Sequence, residues 1–301
     1  MANHRSKIPK QTNTITFSTD AEMELLPFLL NVLSGRSRNS VKFILKRGQV
    51  SVDGRVKTKH NYLLTPGQTV SVLKNEAAKK METLKGVSIL HEDDAIIVIR
   101  KEAGLLSIAS PKETSQTVYK QLMDYVRLDD RKNRIFVVHR LDKETSGVMV
   151  FAKQEQIKRK LQGSWSENVR ERTYIALVEG KVLKNAGIVT SYLKENQVHK
   201  MYSTKDKKNG MYAETTYRLI RQNSDFSLLE VELQTGRKNQ IRVHMHDLGH
   251  PVVGDKKYGA TVNPIKRLGL HASVLGFIHP VTEKYVRFHS KPPASFRKKV
   301  K

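Results

Sequence analysis

Apolar positions in the first quarter of the chain fall twice into helical spacing and then into alternation. Leu25, Leu26, Phe28, Leu29, Leu30 and Leu33 run up to Ser34-Gly35, and Val41, Phe43, Ile44 and Leu45 run up to Gly48. This spacing predicts two helices, one beginning near Ala21 and one at Ser40, each stopped by a glycine. Val50 and Val52 then alternate with polar residues up to Asp53-Gly54, and residues 69–73 alternate after Pro66-Gly67. Strands joined by tight turns follow from that pattern. Residues 76–86 are rich in Lys, Glu, Ala and Met without a strand pattern, and read as a linker.

Beyond residue 87 the period changes. Strands are predicted at 87–90, 95–99, 135–138, 148–152, 173–178, 188–193, 212–220 and 227–234, with helices at 117–126, 154–165 and 239–248. Strands outnumber helices and arrive in runs. The expected class is therefore α+β: a large domain on a mixed or antiparallel sheet, preceded by a small α/β domain. The boundaries are a basic tail at 1–16, a small domain at 17–75, the linker, the large domain at 87–293, and a basic tail at 294–301.

Composition narrows the function. Lys and Arg number 54 against 29 Asp and Glu, a formal charge of +25. Arg36, Arg38, Lys42, Lys46, Arg47, Arg55, Lys57 and Lys59 crowd one short stretch that holds Asp53 as its one acidic residue. A basic face of this kind attracts phosphate backbones by releasing counterions, so the expected partner is a polyanion; charge alone does not separate RNA, DNA and anionic lipid, though no long amphipathic basic helix favours lipid. No run of about 18 apolar residues exists to span a bilayer, and no apolar segment follows the basic N-terminus as in a secretory leader. Cysteine is absent, which excludes disulfides, thiolate zinc sites and thiol catalysis. We expect a cytoplasmic monomer without a membrane partner. No Walker or dinucleotide glycine loop occurs, so no nucleotide cofactor is expected.

The segment most suited to chemistry is Val138-His139-Arg140-Leu141-Asp142-Lys143-Glu144-Thr145-Ser146-Gly147-Val148, between two β-rich runs. A carboxylate there has a cation two residues away and hydroxyls behind it, which favours its ionised form. Spacing alone favours an ordinary Asx turn with a surface ion pair. His139, His244, His246 and His250 lack acidic or thiol companions at ligand spacing, so no metal is expected.

These residues carry a resemblance. His139-Arg140-Leu141-Asp142 with Thr145-Ser146-Gly147 resembles the signature of the RluA-type pseudouridine synthases. Further motifs follow in the same order: Glu92-Asp93-Asp94 to Lys101 and Gly104; Arg172-Thr173-Tyr174; Gly236-Arg237 with Gln240-Ile241-Arg242-Val243-His244 and on to Gly254-Asp255 and Tyr258-Gly259; and Leu270-His271-Ala272. The resemblance covers about residues 87–290. It departs at Glu102, where the family has Pro, and at Asn239, where it often has His; both bear on substrate preference. The stretch from Val41 to Gly54 is similar to the alpha-L RNA-binding motif of a small-subunit ribosomal protein.

The resemblance implies isomerisation of uridine within an RNA chain, without cofactor. It implies Asp142 as the catalytic carboxylate, acting either on the sugar or on a ribose proton. Arg242 would be its ion-pair partner and Tyr174 the ring stacked on the base. Arg140 would enter the space of a flipped-out nucleotide, with His139, Leu270 and Thr145 around the substrate. Arg36, Arg38, Lys42, Lys46 and Arg47 would hold RNA, with large-subunit ribosomal RNA preferred and transfer RNA open. Two other classes compete with this one. A non-catalytic RNA-binding or ribosome-assembly factor would dispense with Asp142, Tyr174 or Arg242, yet all three are present. A glycoside hydrolase needs a second carboxylate, for which Glu144 is a candidate by proximity alone.

Overall fold

In a computed structural model, which describes residues 14–36, 38–46, 48–73, 84–111, 113–128, 130–163 and 165–301, the chain divides into two units. One comprises residues 1–83 with 125–132, the other 84–124 with 133–301.

In the first unit, strands β1 (Thr14–Ser18), β3 (Val50–Val52), β4 (Arg55–Val56) and β6 (Thr69–Leu73) form an antiparallel sheet in the order β1-β6-β3-β4. A two-residue ladder joins β2 (Met23–Glu24) to β5 (Leu63–Leu64). The apolar residues of α1 (Leu25–Val32) and α2 (Arg38–Lys46) explain the packing. Leu25, Leu26, Leu29, Val41, Ile44 and Leu45 close over Val50, Val52, Val70 and Val72 as one core. Asp53 and Gly54 both have positive φ, 47° and 76°, the geometry a two-residue hairpin turn demands. The Asp53 carboxylate accepts the Thr69 N–H at 2.9 Å, which fastens the turn to β6. The tail expected over 1–16 ends sooner, because residues 14–16 already pair in β1; residues 1–13 lie outside the described residues. Arg36, Arg38 and Lys42 are exposed. Arg47 and the Lys46 side chain lie outside the described residues.

The second unit is built on one sheet of eleven strands. Its path is β13 (Met201–Thr204), β12 (Ala186–Glu195), β14 (Met211–Gln222), β15 (Phe226–Leu233), β11 (Val169–Glu179), β16 (Leu270–Ile278), β10 (Ser146–Ala152), β8 (Ile96–Lys101) and β7 (Val87–Glu92). To it are added β9 (Phe136–Val137) on β10 and β17 (Tyr285–His289) on β16. All of these pairings are antiparallel except β10–β16. Every residue of β10 is buried, which is why its sequence is a continuous small and apolar run rather than an alternation. The predicted α+β class and mainly antiparallel sheet are what the structure contains.

Helices α3 (Val118–Val126), α4 (Glu155–Gly163), α5 (Trp165–Asn168) and α6 (Gln240–Asp247) fall where periodicity predicted them, residue 164 lying outside the described residues. Ile157 and Leu161 of α4 enter a cluster with Val98, Val150 and Phe277, each burial contributing about 2 kcal/mol. Ile241 and Met245 of α6 enter another with Ala176, Val231 and Leu270. The basic tail expected at 294–301 requires correction. Residues Ala294–Lys298 form α7, and Phe296 and Val300 are buried against Ile175, Leu177 and Leu228. Lysines and an arginine around two apolar residues hid an amphipathic anchor. No helix among the described residues is long and apolar enough to cross a membrane.

Candidate active site

Asp142 lies on the connection between β9 and β10, and neighbouring segments fix that connection through its backbone. The Leu141 N–H donates to Ser107 Oγ at 3.2 Å, and that hydroxyl donates back to the Leu141 carbonyl at 2.7 Å. The Thr145 N–H donates to the Asp142 carbonyl at 3.1 Å, closing a tight turn. The Lys143 carbonyl accepts the Gly104 N–H and the Lys101 ammonium, both at 2.9 Å. Lys101 is wholly buried and donates also to the Glu102 and Leu105 carbonyls, at 3.0 and 2.7 Å. Burial pushes its pKa down to about 8, against the opposing pull of Glu144 and Asp142.

Downstream, Gly147 makes the approach of β10 to β16 possible. Its φ is +127°, and a Cβ there would lie 2.1 Å from the Ala272 carbonyl oxygen. The glycine after Thr145-Ser146 is thus a packing requirement beside the site.

Opposite Asp142 stands Arg242, one turn into α6. Its NH1 donates to Asp142 Oδ2 at 3.1 Å, while its Nε and NH2 form a bidentate pair with Asp255 at 2.7 and 2.8 Å. Its side chain is 14% exposed against 28% for Asp142 and 1% for Asp255, so the arginine bridges a buried carboxylate and an accessible one. The Tyr258 ring stacks 4.9 Å from the guanidinium carbon. Burial opposes the charge on Arg242, but the hydrogen bonds and charge of Asp255, then those of Asp142, outweigh it and raise its pKa.

A cavity of about 470 Å³ opens beside this pair. Asp142, Arg242, Tyr174, Leu270, Arg140 and Thr145 all line it, brought together from four separate stretches of chain. Burial pushes the Tyr174 phenol up to about 12, although the Arg172 cation opposes the shift. A phenol so placed is a neutral ring near pH 7. The segment 236–239, leading into α6, closes one side. Asn239 there has φ 56°, a left-handed conformation that Asn tolerates better than most residues. Glu102, the other departure from the family pattern, donates its N–H to the Gly86 carbonyl at 2.8 Å, a bond proline could not make.

His139 stands apart from these residues. Its Nε2 accepts the Val150 N–H at 3.1 Å, its ring lies 5.1 Å from that of Trp165, and it is not on the cavity wall. Burial lowers its pKa to about 4, so it is a neutral brace of β10. His244 is likewise held by Ser191 and Thr215, and His250 by the Glu179 carbonyl.

Asp255, Tyr258, Lys101 and Ser107 were missed as site residues from sequence. The first two stand in Gly254-Asp255-x-x-Tyr258-Gly259, whose pairing with Arg242 across 13 residues no periodicity signals. Lys101 stood in the opening motif and ended an apolar strand, but nothing in the sequence showed that it would bind the Lys143 carbonyl beside Asp142.

Comparison with known proteins bears on this arrangement. A family model described as RNA pseudouridylate synthase matches residues 95–247. The uncharacterized RNA pseudouridine synthase YlyB of Bacillus subtilis is 33% identical over 93% of this chain and 94% of its own length. Ribosomal large subunit pseudouridine synthase C of Vibrio cholerae is 30% identical over 87% of each chain. The solved structure of human RNA pseudouridylate synthase domain containing 4 superposes with a TM-score of 0.59 at 25% identity, over 70% of this chain and 91% of that one. With a fold, a cavity and a match of this extent in agreement, the chain belongs to the RNA pseudouridylate synthase family, whose members are isomerases.

Proposed function

We propose that this enzyme isomerises uridines in structured RNA, large-subunit ribosomal RNA first among them, with Asp142 as its catalytic carboxylate. The carrying observation is the Asp142–Arg242 ion pair at 3.1 Å on the wall of the 470 Å³ cavity. The reaction breaks the bond from ribose C1′ to N1 of uracil, turns the base, joins C1′ to C5, releases the proton from C5 and leaves N1 protonated. Atoms and charge balance without any donor or oxidant.

Each wall residue has work in that sequence. Arg242 engages only Oδ2 of Asp142, which leaves Oδ1 outside the ion pair and available to the sugar or to a ribose proton. Tyr174 and Leu270 offer an aromatic face and an aliphatic wall for the uracil, holding it between detachment and reattachment. A paired base cannot reach such a cavity, so the nucleotide must flip out. Exposed Arg140, at the mouth, is placed to fill the gap it leaves. In the first unit, Arg36, Arg38 and Lys42 present cations on and beside α2; with Lys46 and Arg47, next in sequence, they are read as an alpha-L-like grip on RNA phosphates. The ribosomal preference draws on the name of the Vibrio cholerae relative.

Two measurements test the proposal. Purified Asp142→Asn should bind RNA within about threefold of the parent yet form no pseudouridine, whereas retained turnover removes Asp142 from its role. Chemical mapping of total RNA from a deletion strain should lose pseudouridine in large-subunit ribosomal RNA. Loss confined to transfer RNA would keep the isomerase and discard the ribosomal substrate.

A further inference from the structure

The strand pairings sort β12, β13 and β14 into two faces. Leu193, Met201 and Ala213 point to the side that carries Tyr174, where they pack with Val243 of α6 and with Tyr258. The other side carries three tyrosines. Tyr192 is directly paired with Tyr212 across β12 and β14, their rings 5.8 Å apart edge to face. Tyr202 on β13 pairs with Lys194, two residues from Tyr192 and on the same face. Tyr202 and Tyr212 are 40% and 42% exposed, far more than a sheet face normally leaves an aromatic ring.

Cations surround this stripe. The turn at 205–210 holds exposed Lys205, Lys207 and Lys208. Gly210 brings that turn against the stripe, since a Cβ there would lie 2.6 Å from Tyr192 Cβ and 3.0 Å from Thr204 Cγ2. Each nearby carboxylate has a partner, Glu214 within the stripe itself. Asp206 accepts the Lys208 and Asn209 N–H groups within its own turn, Glu214 accepts the Tyr212 hydroxyl, and Glu195 pairs with Lys238 and His199. Among the described residues no ion pair holds Lys194, Lys205, Lys207 or Lys208.

The cavity lies on the face that carries Tyr174, and contacts at the end of β12 and the start of β14 tie its wall to the strands that bear the stripe on their other face. Lys238, on the cavity wall, pairs with Glu195 at the end of β12, and Lys257 donates to the His199 carbonyl at 2.9 Å. Arg237, on the same wall, donates to the Tyr212 carbonyl at 2.9 Å. An RNA strand leaving the cavity would round the 195–200 turn to reach Lys194 and Tyr202 on the opposite face.

We propose that Tyr192, Tyr202 and Tyr212, with the lysines at 194 and 205–208, form a second RNA-contact surface that stacks unpaired nucleotides flanking the target. Aromatic rings on an open sheet with cations at their margin bind single strands with little regard to sequence, because every base has a face to stack. This rests on the reading of the chain as an enzyme acting on RNA, and its test reads binding alone.

The probes are a fluorescein-labelled uridylate dodecamer and a blunt RNA hairpin, titrated against the full chain by anisotropy. The triple variant Tyr192→Ala/Tyr202→Ala/Tyr212→Ala should lose about tenfold or more in affinity for the dodecamer, the scale of lost stacking on one base. The corresponding triple Phe variant should keep its affinity, and the hairpin should bind both within twofold. Lys205→Gln/Lys207→Gln/Lys208→Gln should lower the salt slope for the dodecamer by about 2. Equal dodecamer affinity for the parent and the Ala variant overturns the inference. So does a change in self-association without a change in RNA affinity, which would make the face a protein interface. Should the Ala triple melt early, Tyr202→Ala alone on the edge strand carries the comparison. Pseudouridine formation by the parent is scored separately, so the failure of this surface and the failure of the proposed reaction are told apart.

Discussion

Arg242 is the residue on which the candidate site turns, because it answers to two carboxylates of opposite circumstance. Asp255, almost without solvent contact, takes two of its donors in the planar fork that guanidinium fits best, and leaves NH1 for Asp142. The buried partner fixes direction, so that Asp142 need not hold the arginine itself. Asp255→Asn keeps the shape but removes the charge, breaking a buried pair at a cost of about 3 kcal/mol. We expect a lower melting temperature and a fall in turnover of about 10²-fold, with RNA affinity nearly unchanged. Turnover within twofold of the parent would show that Arg242 needs no second carboxylate. Asp142, Tyr174 and Arg242 could all be named from sequence because they stand in quotable motifs. Asp255 stood in one too, but its function is a distance, and distances between segments are not written in order along the chain.

At the scale of elements, β10 shows how the site is held. It is paired antiparallel to β8 and parallel to β16, and it begins four residues after Asp142. Gly147→Ala would drive a methyl group into the Ala272 backbone from a backbone conformation that L side chains rarely adopt. The expected loss is about 3 kcal/mol or more, combining overpacking with strain. Thermal melting should fall sharply and the protein should partition into aggregates; an unaltered melt would mean that β10 and β16 can part without cost. Element prediction did best where one period ran unbroken, as in α3, α6, β14 and β15. It missed β16, whose nine residues are nearly all buried and so show no alternation, and α7, too short for a period to declare itself.

Across the whole molecule, charge and burial act on different conditions. The charge of +25 governs how the protein meets RNA and salt. Buried histidines govern its response to acid. Burial lowers His139, His244 and His271 to about 4 each, below the unfolded value near 6.5, so on acidification the unfolded chain takes up protons first. Stability is therefore full above about pH 6.5 and declines as pH falls toward 4, by roughly 3 kcal/mol per histidine at the bottom of that window. The geometry agrees most plainly for His139, whose Nε2 accepts a backbone N–H, so a further proton there displaces a bond already made. Melting temperatures at pH 7 and pH 4.5 should differ by many degrees, and His271→Gln should narrow the gap. A pH-independent melt would refute the assignment.

By itself the sequence determined the α+β class, a strongly cationic chain and the absence of thiol chemistry, because periodicity and composition are properties of neighbours along the chain. Asp142, Tyr174 and Arg242 were named only through a family resemblance carried by short motifs, which are local too. Tertiary structure alone decided that Arg242 is shared with Asp255, that His139 faces the core instead of the cavity, that 294–301 anchors instead of trailing, and that three tyrosines share one open face. Those outcomes depend on strand order and register, where residues scores of positions apart meet at bonding distance through packing that no short window of sequence contains.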